Sequence, residues 1–209
     1  MKHRLHDVRY LVQLAVLTAL LLLLEITGLG YIKTPVLEFT VMQVPVILGA
    51  IILGPGAGAL LGGVFGLTSF WECFGKSAFG MQLLAIDPWA TAVVCIVPRL
   101  LMGLCCGLIF RALAAKPRKL LPFAAASLSG ALLNTVFFTS ALLLFFGATP
   151  YLVGLRASLG GKSILGFVAA MVGVQGVLEA VICGVLGTAI AKAVFIAVKK
   201  GGNATGEKM

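Results

Sequence analysis

From Leu37 to Trp71 the chain reads LEFTVMQVPVILGAIILGPGAGALLGGVFGLTSFW, two apolar segments interrupted once, at Gly54-Pro55-Gly56-Ala57-Gly58. The interruption carries no charge and has room only for a tight turn, so the two segments are predicted to form a helical hairpin. The second arm places Gly58, Gly62 and Gly66 four residues apart, with Gly63 beside them. Glycine weakens a helix in water, but in lipid a stripe of small residues lets two helix backbones come close together. A chain built around such a hairpin is constrained to helix-on-helix packing.

The rest of the composition agrees. Hydrophobic residues make up 60% of the 209-residue chain and charged ones 11%, whereas a soluble domain has about 25% charged residues. The expectation is an all-α membrane protein, one domain over residues 1–209, with six transmembrane helices in a single bundle at about 9–29, 39–53, 57–74, 88–113, 120–146 and 163–198. Segment two looks short for a hydrocarbon core of roughly 30 Å and segment six long. No period-two alternation supports a barrel, and no internal repeat supports an inverted-repeat carrier. The first segment has a basic lead like a signal peptide, but it is long enough to span and has no clear cleavage site, so it reads as a retained helix.

The net charge of +9 is not arranged for nucleic acid, because the basic residues lie between apolar segments rather than in aromatic-laced patches. On the six-helix reading, 11 Lys and Arg fall on one side, 4 on the other, and Arg99 within the membrane. The positive-inside rule then puts both termini in the cytoplasm, with loops 30–38, 75–87 and 147–162 outside.

Little enzymatic chemistry is available. His3 and His6 are the only histidines, both ahead of the first segment, which removes the histidine-dependent hydrolases and intramembrane metalloproteases. Five cysteines without C-x-x-C spacing read as small buried hydrophobes; they suggest neither a disulfide framework nor a metal site. Gly160-Gly161-Lys162-Ser163 resembles the end of a P-loop, but Arg156 stands where its first glycine belongs. The chain is therefore expected not to be an enzyme, to need no cofactor, and not to hydrolyse ATP alone.

What remains is a set of polar residues inside the segments. Arg99, Asn134 and Glu179 fall at similar depths in segments four, five and six, where a charge costs roughly 2.5–3.5 kcal/mol on insertion scales and calls for a partner. Two readings fit and are compatible: a buried Arg99–Glu179 ion pair, or a pocket for an anionic or polyhydroxylated small molecule. In the second, the guanidinium fork of Arg99 takes a carboxylate, Asn134 and Thr135 supply neutral donors and acceptors, and Gln175 lies one turn outward of Glu179. Gln43 and Trp71, nearer the outer face, complete the candidate contacts, although Trp71 also suits an interfacial aromatic belt.

The hairpin resembles the second and third membrane helices of the S components of energy-coupling factor (ECF) vitamin importers, and most of all the pantothenate-type branch. Further strings carry the likeness: Asp87-Pro88 and Val97-Pro98-Arg99 in segment four, Asn134-Thr135 in segment five, Gln175-Gly176-Val177-Leu178-Glu179-Ala180 in segment six, and Ala15-x-x-x-Ala19 in segment one. Asp87 and Gln175 stand where the pattern has asparagine. The resemblance implies a substrate-binding subunit of the cell membrane that delivers a vitamin, pantothenate or a related small carboxylate, to a membrane coupling subunit and two cytoplasmic ATPase subunits. It also implies that Ala15 and Ala19 face the coupling subunit. The alternative is a stand-alone proton- or ion-coupled carrier with Glu179 and Arg99 as its relay; a scaffold in which the polar residues are helix glue is a third reading.

Overall fold

The computed structural model describes residues 2–33, 38–114, 120–158, 176, 177 and 179–195. In chain order these give α1 (Lys2–Ile26), a ribbon of β1 (Tyr31–Lys33) and β2 (Glu38–Thr40), α2 (Gln43–Ile52), α3 (Pro55–Glu72), α4 (Ala78–Ile86), α5 (Pro88–Ala114), α6 (Leu121–Phe146) and α7 (Pro150–Ser158). A last helical stretch, α8, covers residues 179–195 and is wound as a π-helix over Cys183–Gly187. The sixth expected segment thus lies partly outside the described residues.

The expected hairpin is present. Gly54, at φ +99°, ends α2 in a conformation only glycine adopts without strain, and Pro55 opens α3 at a position where its missing N–H costs nothing. Its first arm is shorter than the sequence suggested. Residues 38–40 join the antiparallel ribbon, Tyr31 opposite Thr40, and α2 keeps 10 residues. At 1.5 Å per residue that is about 15 Å, half of a hydrocarbon core. The helix is enclosed, with every residue from Gln43 to Ile51 buried.

Among the described residues, three helices are long and apolar enough to cross a membrane: Val8–Ile26 of α1, α5 and α6. The second hairpin arm, α3, has 18 residues, but five glycines and Glu72 dilute its apolar character. Those glycines are where α3 meets α5. A methyl group on Gly58 would strike the Gly103 carbonyl, one on Gly62 the Arg99 carbonyl, and one on Gly66 would lie 2.6 Å from Ile96 Cα. From the other side, Gly103 abuts the Gly58 carbonyl and Gly107 would meet Pro55 Cα at 2.6 Å. Gly63 faces open space. The contact is therefore backbone on backbone, and it fixes the rotation of α5 that turns Arg99 inward.

Side chains fill three sectors around this seam. Leu21, Met42, Val46, Leu61, Phe65 and Met102 join α1, α2, α3 and α5. Leu83, Val94, Phe146 and Leu152 join α4 through α7, so the loops expected at 75–87 and 147–162 contain short packed helices. Below α2, Phe110, Phe123 and Phe195 meet edge to face with centroids 5.1–6.1 Å apart.

Candidate ligand site

Arg99 sits where the first two sectors meet. Its place follows from the residue before it. Pro98 has no N–H, so the Val94 carbonyl, four residues earlier in α5, loses its helical donor. Arg99 Nη1 donates to that oxygen at 2.9 Å, curling the guanidinium back along its own helix. The cation is then bracketed by two rings, Phe138 of α6 with its centroid 4.6 Å away and Phe65 of α3 at 5.7 Å, both within cation–π range. The residue is 9% exposed, yet Arg99 Nε has no hydrogen-bond partner among the described residues.

Two further buried polar atoms have no described partner. Asn134, one helical turn before Phe138 on α6, is 6% exposed and its Oδ1 has no described partner. Tyr31 of β1 packs its ring on Phe65, centroids 6.5 Å apart, and its buried hydroxyl is also without a described partner. Burial pushes the Tyr31 phenol well above its ordinary value, against the pull of Arg99 and with that of Glu72 and Glu25, so it stays a neutral donor. Ser69 is in its neighbourhood without reaching hydrogen-bond geometry. Buried polar groups are ordinarily paired. A guanidinium edge and a phenol hydroxyl around two aromatic faces can together receive a small molecule bearing a carboxylate and a hydroxyl or amide group.

The rim is strapped. Lys76, in the turn after α3, donates from Nζ to Glu25 Oε1 near the end of α1 at 2.7 Å. That bond raises the Lys76 pKa. Asp87 is the N-cap of α5: its Oδ1 accepts from the backbone N–H groups of Trp89 at 2.9 Å and Ala90 at 3.0 Å. Asparagine caps a helix equally well, so the exchange noted at this position leaves the local structure unchanged.

Glu179 is held elsewhere. Its Oε1 accepts from the Thr40 backbone N–H and its Oε2 from Gln43 Nε2, both at 3.0 Å. The carboxylate thus lies at the N-terminal end of α2, where the helix dipole favours an anion. The hydrogen bonds described for Arg99 and Glu179 lead to different partners.

The polar residues anticipated from the sequence therefore divide. Arg99 lies against Phe138, one helical turn from Asn134 along α6; Gln43 and Glu179 bind each other; Thr135 is half-buried next to Asn134. Trp71 is exposed, its ring against Phe74, and is not brought to the others. Gln175 lies outside the described residues. Ala15 and Ala19 are exposed on α1. Sequence reasoning missed Tyr31, Phe65 and Phe138. Phe138 carried a signal, since it follows Asn134 by four residues and so shares its face; Tyr31, in a short loop without periodicity, carried none.

The family described as "ECF transporter, substrate-specific component" matches residues 9–191. The chain belongs to this family. It is a family of transporter components rather than of enzymes, and with its apolar helices it makes the chain a membrane protein. The chain is also 32% identical over 107 residues to the pantothenate transporter PanT of Leuconostoc mesenteroides subsp. mesenteroides, covering 49% of this chain and 50% of that one. It thus spans about half the length of the curated relative it matches. In this ECF substrate-specific component, Arg99 and Asn134 both fall inside the matched residues 9–191.

Proposed function

We propose that the protein is the substrate-binding subunit of an ECF importer for pantothenate or a related small carboxylate. It is a single six-helix bundle with both termini cytoplasmic, and it hands its ligand to an ATP-driven module of one membrane coupling subunit and two ATPase subunits. Arg99 takes the carboxylate through its free edge, Asn134 and Tyr31 take hydroxyl or amide groups, and Phe65 and Phe138 cover the apolar part. Glu179 and Gln43 tie the ribbon and α2 to α8 beside the site. Ala15 and Ala19 form the docking face for the coupling subunit.

The observation that carries this reading is the Arg99 guanidinium, buried between two rings with Nε unpartnered among the described residues. A cation positioned by its own helix keeps its charge for an anion. The relay reading has less support, because the bonds described for Arg99 and Glu179 lead to different partners.

Calorimetric titration of pantothenate into the purified protein tests the assignment. Saturable binding is expected, and silence for pantothenate and for other anionic vitamins alike refutes it. Uptake into proteoliposomes only when coupling and ATPase subunits are present tests the division of labour; uptake by this chain alone returns the relay.

A further inference from the structure

All five cysteines are free thiols, but they are not equivalent. Cys106 Sγ donates to the Ala126 carbonyl at 3.2 Å, and Cys183 Sγ lies 3.8 Å from Gln43 Oε1. Cys73 Sγ donates to the Ser69 carbonyl at 3.5 Å and also meets Cys95, with sulfurs 3.9 Å apart and both residues buried. This is the one sulfur–sulfur contact among the described residues, and it joins the C-cap of α3 to α5, one turn before Arg99.

We propose that Cys73 and Cys95 are a reversible dithiol–disulfide pair, oxidised by a small external disulfide, that clips the turn 73–76 onto α5 beside Arg99. One cysteine sulfur attacks the external disulfide, forming a mixed disulfide and expelling one thiol. The second cysteine sulfur then displaces the other half as a second thiol. Both protein S–H bonds break, their protons end on the two departing thiols, and the external disulfide gains the two electrons.

The geometry directs where the strain goes. Forming the bond draws sulfurs now 3.9 Å apart to about 2.05 Å. Because Gly66 holds α3 against the backbone of Cys95 and Ile96, the closure comes from rotation of the cysteine side chains and from movement of the turn. Lys76 lies in it, so oxidation pulls on the Lys76–Glu25 bond and reaches the end of α1. On its other side Cys73 is covered by α4 at Gly80, where an added methyl would stand 2.6 Å from the sulfur. Entry of the oxidant therefore requires α4 to lift. A cross-link over 22 residues also restricts the unfolded chain, so the oxidised form is the more heat-resistant one.

The test uses the full chain in bilayer nanodiscs with bis(2-hydroxyethyl) disulfide, followed by alkylation, intact mass and non-reduced peptide mapping. The expected product has lost two hydrogens, is cross-linked between Cys73 and Cys95, melts several degrees higher and reverts with reductant. Cys106→Ser retains the product. Cys73→Ala stops at a mercaptoethanol adduct on Cys95, and its melting curve shows whether it remains folded. A cross-link mapped to other cysteines overturns the proposal. So do persistent adducts on both thiols, or two unreacted thiols in native protein whose denatured form reacts. These readouts do not depend on which ligand the protein binds.

Discussion

Helices α1 and α5 are alike in length and apolarity, yet 11% of the spanning window of α1 is buried against 50% of that of α5. The difference is in side-chain size, not hydrophobicity. On α5, Gly103 and Gly107 admit a neighbouring backbone, and α3 answers with Gly58, Gly62 and Gly66. On α1, Val8, Leu11, Val12, Val16 and Leu23 stand exposed, and the small residues Ala15 and Ala19 lie in that uncovered surface. In lipid, apolarity places a helix in the membrane without choosing its neighbours; small residues choose them. The two helices show the same rule satisfied within the chain and left open.

The largest expected effect comes from closing the seam. Gly62→Leu forces a side chain into the Arg99 carbonyl, and overpacking of this kind costs about 1–3 kcal/mol or more. No monodisperse folded protein is expected on size-exclusion chromatography. Gly63→Leu, adding the same bulk one residue away into open space, should purify and melt like the wild type. Equal tolerance of both would break the contrast between seam and surface.

Arg99→Lys asks whether the burial of α5 serves packing alone. The lysine keeps the charge but loses the fork and the planar face between Phe65 and Phe138. With hydrogen bonds to a charged group worth about 1.5–3 kcal/mol each, pantothenate binding should weaken about 10- to 100-fold. The thermal midpoint should change far less. Unchanged affinity would make Arg99 a packing residue.

The smallest effect on the isolated protein is expected at α1. Ala15→Trp and Ala19→Trp add bulk to an exposed face, so stability should move within about 0.5 kcal/mol. Assembly with the coupling subunit, followed by co-purification, should nevertheless be lost. Early melting would mean that the face packs inside this chain, and intact assembly would remove it from the docking surface.

The seam was legible because close backbone approach is written in small residues at helical spacing. The burial of Arg99 and Asn134 was legible because a polar group at depth needs a reason to be there. The length of α2 was not. Phe39, Thr40 and Val41 continue the apolar run without a break, and what takes residues 38–40 out of it is the ribbon pairing, with Glu179 receiving the Thr40 N–H from 139 residues away. The Gln43–Glu179 bond was hidden by the same distance in sequence. Trp71 shows the limit of inference from position: a tryptophan at a helix end fits a ligand or an interface equally, and packing alone put it outside. The short helices α4 and α7 escaped notice because each has 9 residues, too few to set up a persistent apolar period.

Pro98 has one more consequence. By leaving the Val94 carbonyl without a helical donor, it supplies a dock for the guanidinium within the same helix. The longest side chain of the site is therefore ordered when the protein folds, before any anion arrives. Immobilising such a side chain costs about 0.5–1.5 kcal/mol when it happens on association. On the proposed function that cost falls in the folding equilibrium, so the cation is preorganised for a carboxylate without an added contact.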